Sequence, residues 1–147
     1  EFAAMLARGL GLRAGGEASP FPDVPASAWY GDAVRTAAAY KLVDGFEDGT
    51  FGPLARITRE QAMAMVRNAM DVTGLSSGIP SGASEDALSA YADAGDVSAW
   101  ARNAVADNLR TGIAKGRYGK KLAPKENITR AEAAELIENL LRRSELI

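Results

Sequence analysis

Neither cysteine nor histidine occurs anywhere in the 147 residues. Without thiols there is no disulfide framework and no thiolate metal site. Without imidazole the commonest general base and zinc ligand are missing as well, so hydrolase triads and histidine-based metal centres are excluded, and neither a metal nor a cofactor is expected. Charge of one sign is also scarce. Seventeen Lys and Arg face 19 Asp and Glu, a net charge of -2, so no basic field exists to hold nucleic acid and any bound anion must be met by a local group. No apolar run approaches the roughly 18 residues needed to span a bilayer, and no membrane insertion is expected. The start at Glu1 has no signal-peptide pattern, so any export signal is expected elsewhere. Apolar residues, by contrast, make up 47% of the chain, enough to bury a core without metal or disulfides.

One stretch occurs twice. Ile57-Thr58-Arg59-Glu60-Gln61 returns as Ile128-Thr129-Arg130-Ala131-Glu132, each time opening an apolar helical run. Thr58 with Gln61, and Thr129 with Glu132, have capping-box spacing, in which hydroxyl and amide or carboxylate side chains satisfy free amides at a helix start. The arginine after each Thr falls at the first helical position, where the macrodipole disfavours a cation. Helix stability does not explain it. A guanidinium beside free first-turn amides would make an anion-binding corner.

The rest of the chain repeats around these corners. Phe2, Met5, Leu6 and Leu10 have helical spacing with no cap before them, so the chain is expected to begin inside a helix. Phe21-Pro22-Asp23-Val24-Pro25 predicts a turn, Trp29 to Val43 a helix, and Asp44 to Ala55 a turn-rich loop. Ile57 leads into a capped helix with Ala62, Met65, Val66, Ala69 and Met70 as its stripe, and Ser76 to Glu85 has the composition of a flexible linker. Beyond it a short helical lead over Ala87–Ala90 precedes Tyr91-Ala92-Asp93 and Trp100. Trp29 and Ile57, like Trp100 and Ile128, are 28 positions apart, with Ala33/Ala104, Val34/Val105, Gly45/Gly116 and Pro53/Pro124 in register. Carried backwards, this register makes the N-terminus the tail of a third, truncated copy. The expected organisation is therefore 1–20 as that copy's helix and connection, 21–75 as a repeat, 76–86 as a Gly/Ser-rich linker and 87–147 as a repeat, an all-α chain of helix-loop-helix units that must pack together to hide their apolar faces.

These residues resemble the S-layer homology repeat, with its F-x-D-V, a Trp opening helix one, a Gly after helix one, G-[FY]-x-D-G-T-F-x-P in the loop and [IV]-T-R-A-E at helix two. One copy supplies Phe21-Pro22-Asp23-Val24, Trp29, Gly45 to Pro53 and Ile57 to Gln61. The other supplies Tyr91-Ala92-Asp93, Trp100, Gly112, Gly116, Leu122-Ala123-Pro124 and Ile128 to Glu132. The resemblance implies tandem repeats packed as a pseudo-threefold spindle around a central helical bundle. It also implies a monomeric, non-catalytic module, covalently part of a larger exported protein and held outside a bacterial cell. Its implied partner is secondary cell-wall polysaccharide, bound in inter-repeat grooves through pyruvylated N-acetylmannosamine, whose carboxylate the motif arginine meets. A different wall glycan, or a role in envelope assembly or protein interaction, is compatible with the same pattern.

The implied ligand-binding residues are Arg59 and Arg130, each with a surface ion pair as its plainer reading. Asp23 and Asp93 are candidates for turn stabilisation, for accepting a sugar hydroxyl, or for both. Trp29 and Trp100 are candidates for core or for a sugar platform. Gly112 fits a backbone role first and close ligand approach second. Lys41 departs from the family by standing where Gly112 does, which predicts unequal sites. The group Lys115, Arg117, Tyr118, Lys120, Lys121 and Lys125 is read first as a solvated basic loop and second as a patch for anionic wall polymer. A glycosidase using Glu47 and Asp48 is disfavoured because the second loop does not repeat those carboxylates.

Overall fold

The computed structural model describes residues 1–13, 19–79, 84–117 and 121–147. Its helices are α1 (Phe2–Gly9), α2 (Gly31–Ala39), α3 (Arg59–Thr73), α4 (Ser84–Leu88), α5 (Arg102–Arg110) and α6 (Arg130–Arg143). Among the described residues the only β-pairing is isolated, Thr58 with Asn127 and Arg117 with Lys121. The chain is all-α. It divides into two compact units, Glu1–Ala55 and Arg56–Ile147.

In the first unit α1 packs on α2. Phe2, Ala3, Leu6 and Ala7 bury one side of α1, and Ala33, Val34 and Ala37 bury one side of α2. The second helix is shorter than the span from Trp29 to Val43 that its periodicity predicts. At its start Ala28 donates to the Pro25 carbonyl at 3.1 Å and Gly31 to that of Ala28 at 2.9 Å, which leaves Trp29 and Tyr30 in turns. Gly31 seats so closely that a Cβ would lie 2.8 Å from the Pro25 oxygen. At its end Lys41 N–H donates to Ala38 O at 3.0 Å and Leu42 N–H to Ala37 O at 2.8 Å. This is a Schellman closure, and it puts Lys41 at φ 60°. A left-handed conformation costs a residue with a Cβ about 1 kcal/mol.

In the second unit α3 packs on α5 and α6, and α4 packs on α5. Both expected capping boxes form. Gln61 N–H donates to Thr58 Oγ1 at 3.3 Å and Thr58 N–H to Gln61 Oε1 at 2.8 Å. Glu132 N–H and Thr129 N–H make the same exchange at 3.1 and 3.0 Å. The buried stripe of α3 is Ala62, Met63, Val66, Ala69 and Met70, facing a core that includes Val105, Leu136, Ile137 and Leu140. Each large aliphatic side chain removed from water there contributes about 1.5–3 kcal/mol. Asn108 is buried and donates to the Met63 and Ala104 carbonyls at 2.9 and 2.7 Å, which fixes α5 against α3. Helix α5 ends in the same Schellman pattern as α2, with Gly112 at φ 72° in the place of Lys41. In the stretch predicted as a linker, Leu75–Gly78 forms a 3-10 turn and α4 begins at Ser84. Residues 80–83 between them lie outside those described.

Candidate functional site

The two Thr-Arg corners share a capping box and little else. Arg59 is only 5% exposed. Its Nε donates to the Leu122 carbonyl at 2.8 Å, its Nη2 to the Lys115 carbonyl at 3.1 Å, and its Nη1 pairs with the Glu132 carboxylate. Nor are the amides beside it open to a ligand. Arg59 N–H donates to Glu126 O at 2.8 Å, Glu60 N–H to Pro124 O at 3.0 Å, and Gln61 N–H to the Thr58 hydroxyl. The expected corner of free first-turn amides is thus corrected here, because carbonyls of the loop before α6 already fill it. Arg130 is exposed at the surface instead.

A groove of about 700 Å³ opens beside Arg59, bounded by the chain from Ile113 to Arg117 and the start of α6. Small-molecule sites commonly enclose about 300–1,000 Å³. Its charged lining is Arg59, Lys115, Arg117, Glu126, Glu132 and Glu135. Glu132 is the centre of this set. Besides Arg59 it accepts from Arg117 Nε at 3.0 Å and Nη2 at 2.8 Å. Those Arg117 bonds are the largest cause holding its pKa down from 4.5 to about 2, against the opposing effect of burial. Burial pulls Arg59 below its ordinary value, and the Glu132 charge works against that pull. Arg117 also reaches the Glu126 carboxylate and, through Nη2, the Asn127 carbonyl at 3.1 Å. Lys115 Nζ lies 3.5 Å from Glu135. The groove is therefore rich in charge yet internally compensated.

The two loops are tied by the same device. Asp23 accepts the amides of Phe51 at 2.9 Å and Gly52 at 2.8 Å, one on each carboxylate oxygen, and these bonds hold its pKa below the usual carboxylate value. Asp93 accepts those of Leu122 and Ala123, both at 2.9 Å. Burial works against its ionisation, but these amides, its own amide and the Lys121 charge together hold its pKa below the usual carboxylate value. Both aspartates act as loop clamps in this structure.

Trp29 and Trp100 are 61% and 63% exposed, so neither is core. Trp29 meets Tyr30 edge to face at 5.4 Å between centroids. Gly112 serves backbone geometry through its positive φ, and a Cβ there would come within 2.8 Å of the Arg143 guanidinium. Lys41 is exposed and belongs to the first compact unit. The groove beside Arg59 thus contains none of Arg130, Asp23, Asp93, the tryptophans, Gly112 or Lys41 in its lining.

Two members of this network were not legible in the sequence as such. Glu132 is legible only as a cap, yet it neutralises Arg59 from 73 positions away. Arg117 is legible only as one cation of a basic loop, although it stands where the other repeat has Phe46, a substitution that was the available signal. Lys125 pairs with Glu60 at 3.1 Å, and Glu60, buried, also accepts from Ser98 N–H at 2.9 Å and the Ser98 hydroxyl at 2.6 Å. Tyr118 and Lys120 lie outside the described residues.

The family profile described as the S-layer homology domain matches residues 20–63 and 90–134, more than half of the chain. The chain belongs to the S-layer homology family. Its relatives include an amylopullulanase of Thermoanaerobacterium thermosulfurigenes, 34% identical over 98% of this chain but 7% of that protein. An endoglucanase of Bacillus sp. (strain KSM-635) is 32% identical over 96% of this chain and 14% of its own length. An S-layer protein of Bacillus licheniformis is 27% identical over 80% of this chain and 12% of its own length. The chain spans a small fraction of each of these S-layer homology relatives, enzymes and S-layer protein alike. Family membership makes it a cell-wall anchoring module, associated with the wall or S-layer outside a bacterial cell. Among the described residues no helix is long and apolar enough to cross a membrane.

Proposed function

We propose that this S-layer homology module is non-catalytic and anchors a larger exported protein by binding an anionic secondary cell-wall polysaccharide, with pyruvylated N-acetylmannosamine as the sugar recognised. The observation that carries the reading is the groove beside Arg59, of sugar-binding size and lined by Arg59, Lys115 and Arg117 among the carboxylates that pair with them. Arg59 supplies the buried, immobile part of that charge, and Arg130 marks a second, weaker corner. Trp29 and Trp100 offer exposed aromatic faces on which sugar rings stack. Asp23 and Asp93 each hold a loop of their own repeat, while Gly112 and Lys41 set how closely a sugar approaches each helix end.

Isothermal calorimetry with a methyl glycoside of pyruvylated N-acetylmannosamine tests this. Saturable heat, reduced at high salt and reduced more by Arg59→Gln than by Arg130→Gln, is expected. No heat from the intact protein, with purified wall polymer also failing to bind, would sink the reading.

A further inference from the structure

Within that groove, and resting on its reading as an anionic-glycan site, we propose that Arg117 is the residue that touches the ligand's carboxylate and that Glu126 occupies the ligand's place until it arrives. Arg59 is poorly suited to direct contact. Its side chain is 6% exposed, and each of its three nitrogen atoms already donates to Leu122, Lys115 or Glu132. The amides at the start of α3 are occupied by Pro124 and Glu126 carbonyls, so they offer no alternative seat.

Arg117 has the complementary properties. Its side chain is 22% exposed, and its Nε and Nη2 are pinned by Glu132 and the Asn127 carbonyl. Such pinning orients the fork before a ligand binds, which lowers the ordering cost of recognition. The Nη1 edge faces Glu126, whose side chain is 65% exposed. An ion pair of that exposure contributes little and exchanges readily for another carboxylate. Glu132 is not exchangeable in the same way, because Arg59, Arg117 and the Thr129 amide all hold it. The ligand's carboxylate therefore replaces Glu126 at Arg117 while Glu132 stays. Because the other repeat has Phe46 at the position of Arg117, this contact sets the specificity of one groove for a charged sugar. The source of the carboxylate, a pyruvate ketal or a uronic acid, is decided by the probe.

The test is calorimetry at low salt on the wild type, Glu126→Gln and Arg117→Gln. The probes are methyl glycosides of pyruvylated N-acetylmannosamine, of the same sugar without pyruvate, and of glucuronic acid. Glu126→Gln is expected to tighten charged-sugar binding about two- to fivefold, the worth of an exposed ion pair. Arg117→Gln is expected to weaken it at least about tenfold and to abolish the preference for charged over neutral sugar. Glu126→Gln leaves the fold's buried contacts untouched, so it reports even if Arg117→Gln melts early. A preference retained in a folded Arg117→Gln protein, or an unchanged affinity in Glu126→Gln, overturns the inference alone when wild-type binding still depends on Arg59. Absence of wild-type binding to every probe overturns the groove reading and this inference with it.

Discussion

Arg59 and Arg130 occupy the same place in the same five-residue motif, yet one is buried in a network of carbonyls and a carboxylate and the other lies at the surface. The local sequence gives each the same capped helix start. Tertiary packing then decides whether the guanidinium becomes part of a groove. The surroundings of the motif arginine are therefore set by what the neighbouring segment presents. Here that neighbour presents Glu132, Arg117 and the Lys115 and Leu122 carbonyls to Arg59.

The largest way to break the symmetry is to remove the arginines. Arg59→Ala leaves the Leu122 and Lys115 carbonyls without their Arg59 donor and takes one partner from Glu132, which keeps Arg117, and is expected to cost about 2 kcal/mol in denaturant unfolding. Arg130→Ala is expected to cost less than about 0.5 kcal/mol in the same experiment. Arg59 thus has a structural role, and a loss of binding in Arg59→Ala must be read beside its stability.

A smaller effect probes what the two loops share. Asp93→Asn replaces an acceptor of two amides by a group with one acceptor oxygen, and a loss of about 1.5 kcal/mol is expected from thermal unfolding. The groove also has an acid signature. The Glu132 pKa is lowered from 4.5 to about 2, so its stabilisation is fully present above pH 4.5 and is lost as pH falls toward 2. Glu132→Gln should remove that part of the acid unfolding profile while lowering stability at neutral pH. The smallest expected effect is a gain. Lys41→Gly relieves a left-handed residue at the end of α2 and should stabilise by about 1 kcal/mol. Gly112→Lys, at the matching end of α5, should destabilise by about the same amount, because a Cβ is strained at that positive φ while the exposed Arg143 side chain can move aside.

Much of the fold was legible because its signals are local. Thr58 with Gln61 and Thr129 with Glu132 announced α3 and α6 through capping boxes whose partners are three residues apart. Positions Lys41 and Gly112 were legible as equivalent, and both take up the left-handed helix end. The start of α2 was not, since Trp29 and Tyr30 continue the helical periodicity and only the seat of Gly31 against Pro25 excludes them. The exposure of both tryptophans was left open by the sequence for the same reason: burial depends on which elements pack over a ring. The motif and the family were legible, but the network around Arg59 was not. Glu132 is distant from Arg59 in sequence, and nothing local distinguishes a capping glutamate from one that also neutralises a buried arginine.

The most direct test of this account is a ¹H–¹⁵N correlation titration of the protein with the methyl glycoside of pyruvylated N-acetylmannosamine. The account predicts saturable shifts at the amides of Lys115, Gly116, Arg117 and Asn127, well above those at Arg130 and Ala131. Shifts centred on the Arg130 corner with none along Lys115 to Arg117 would contradict it.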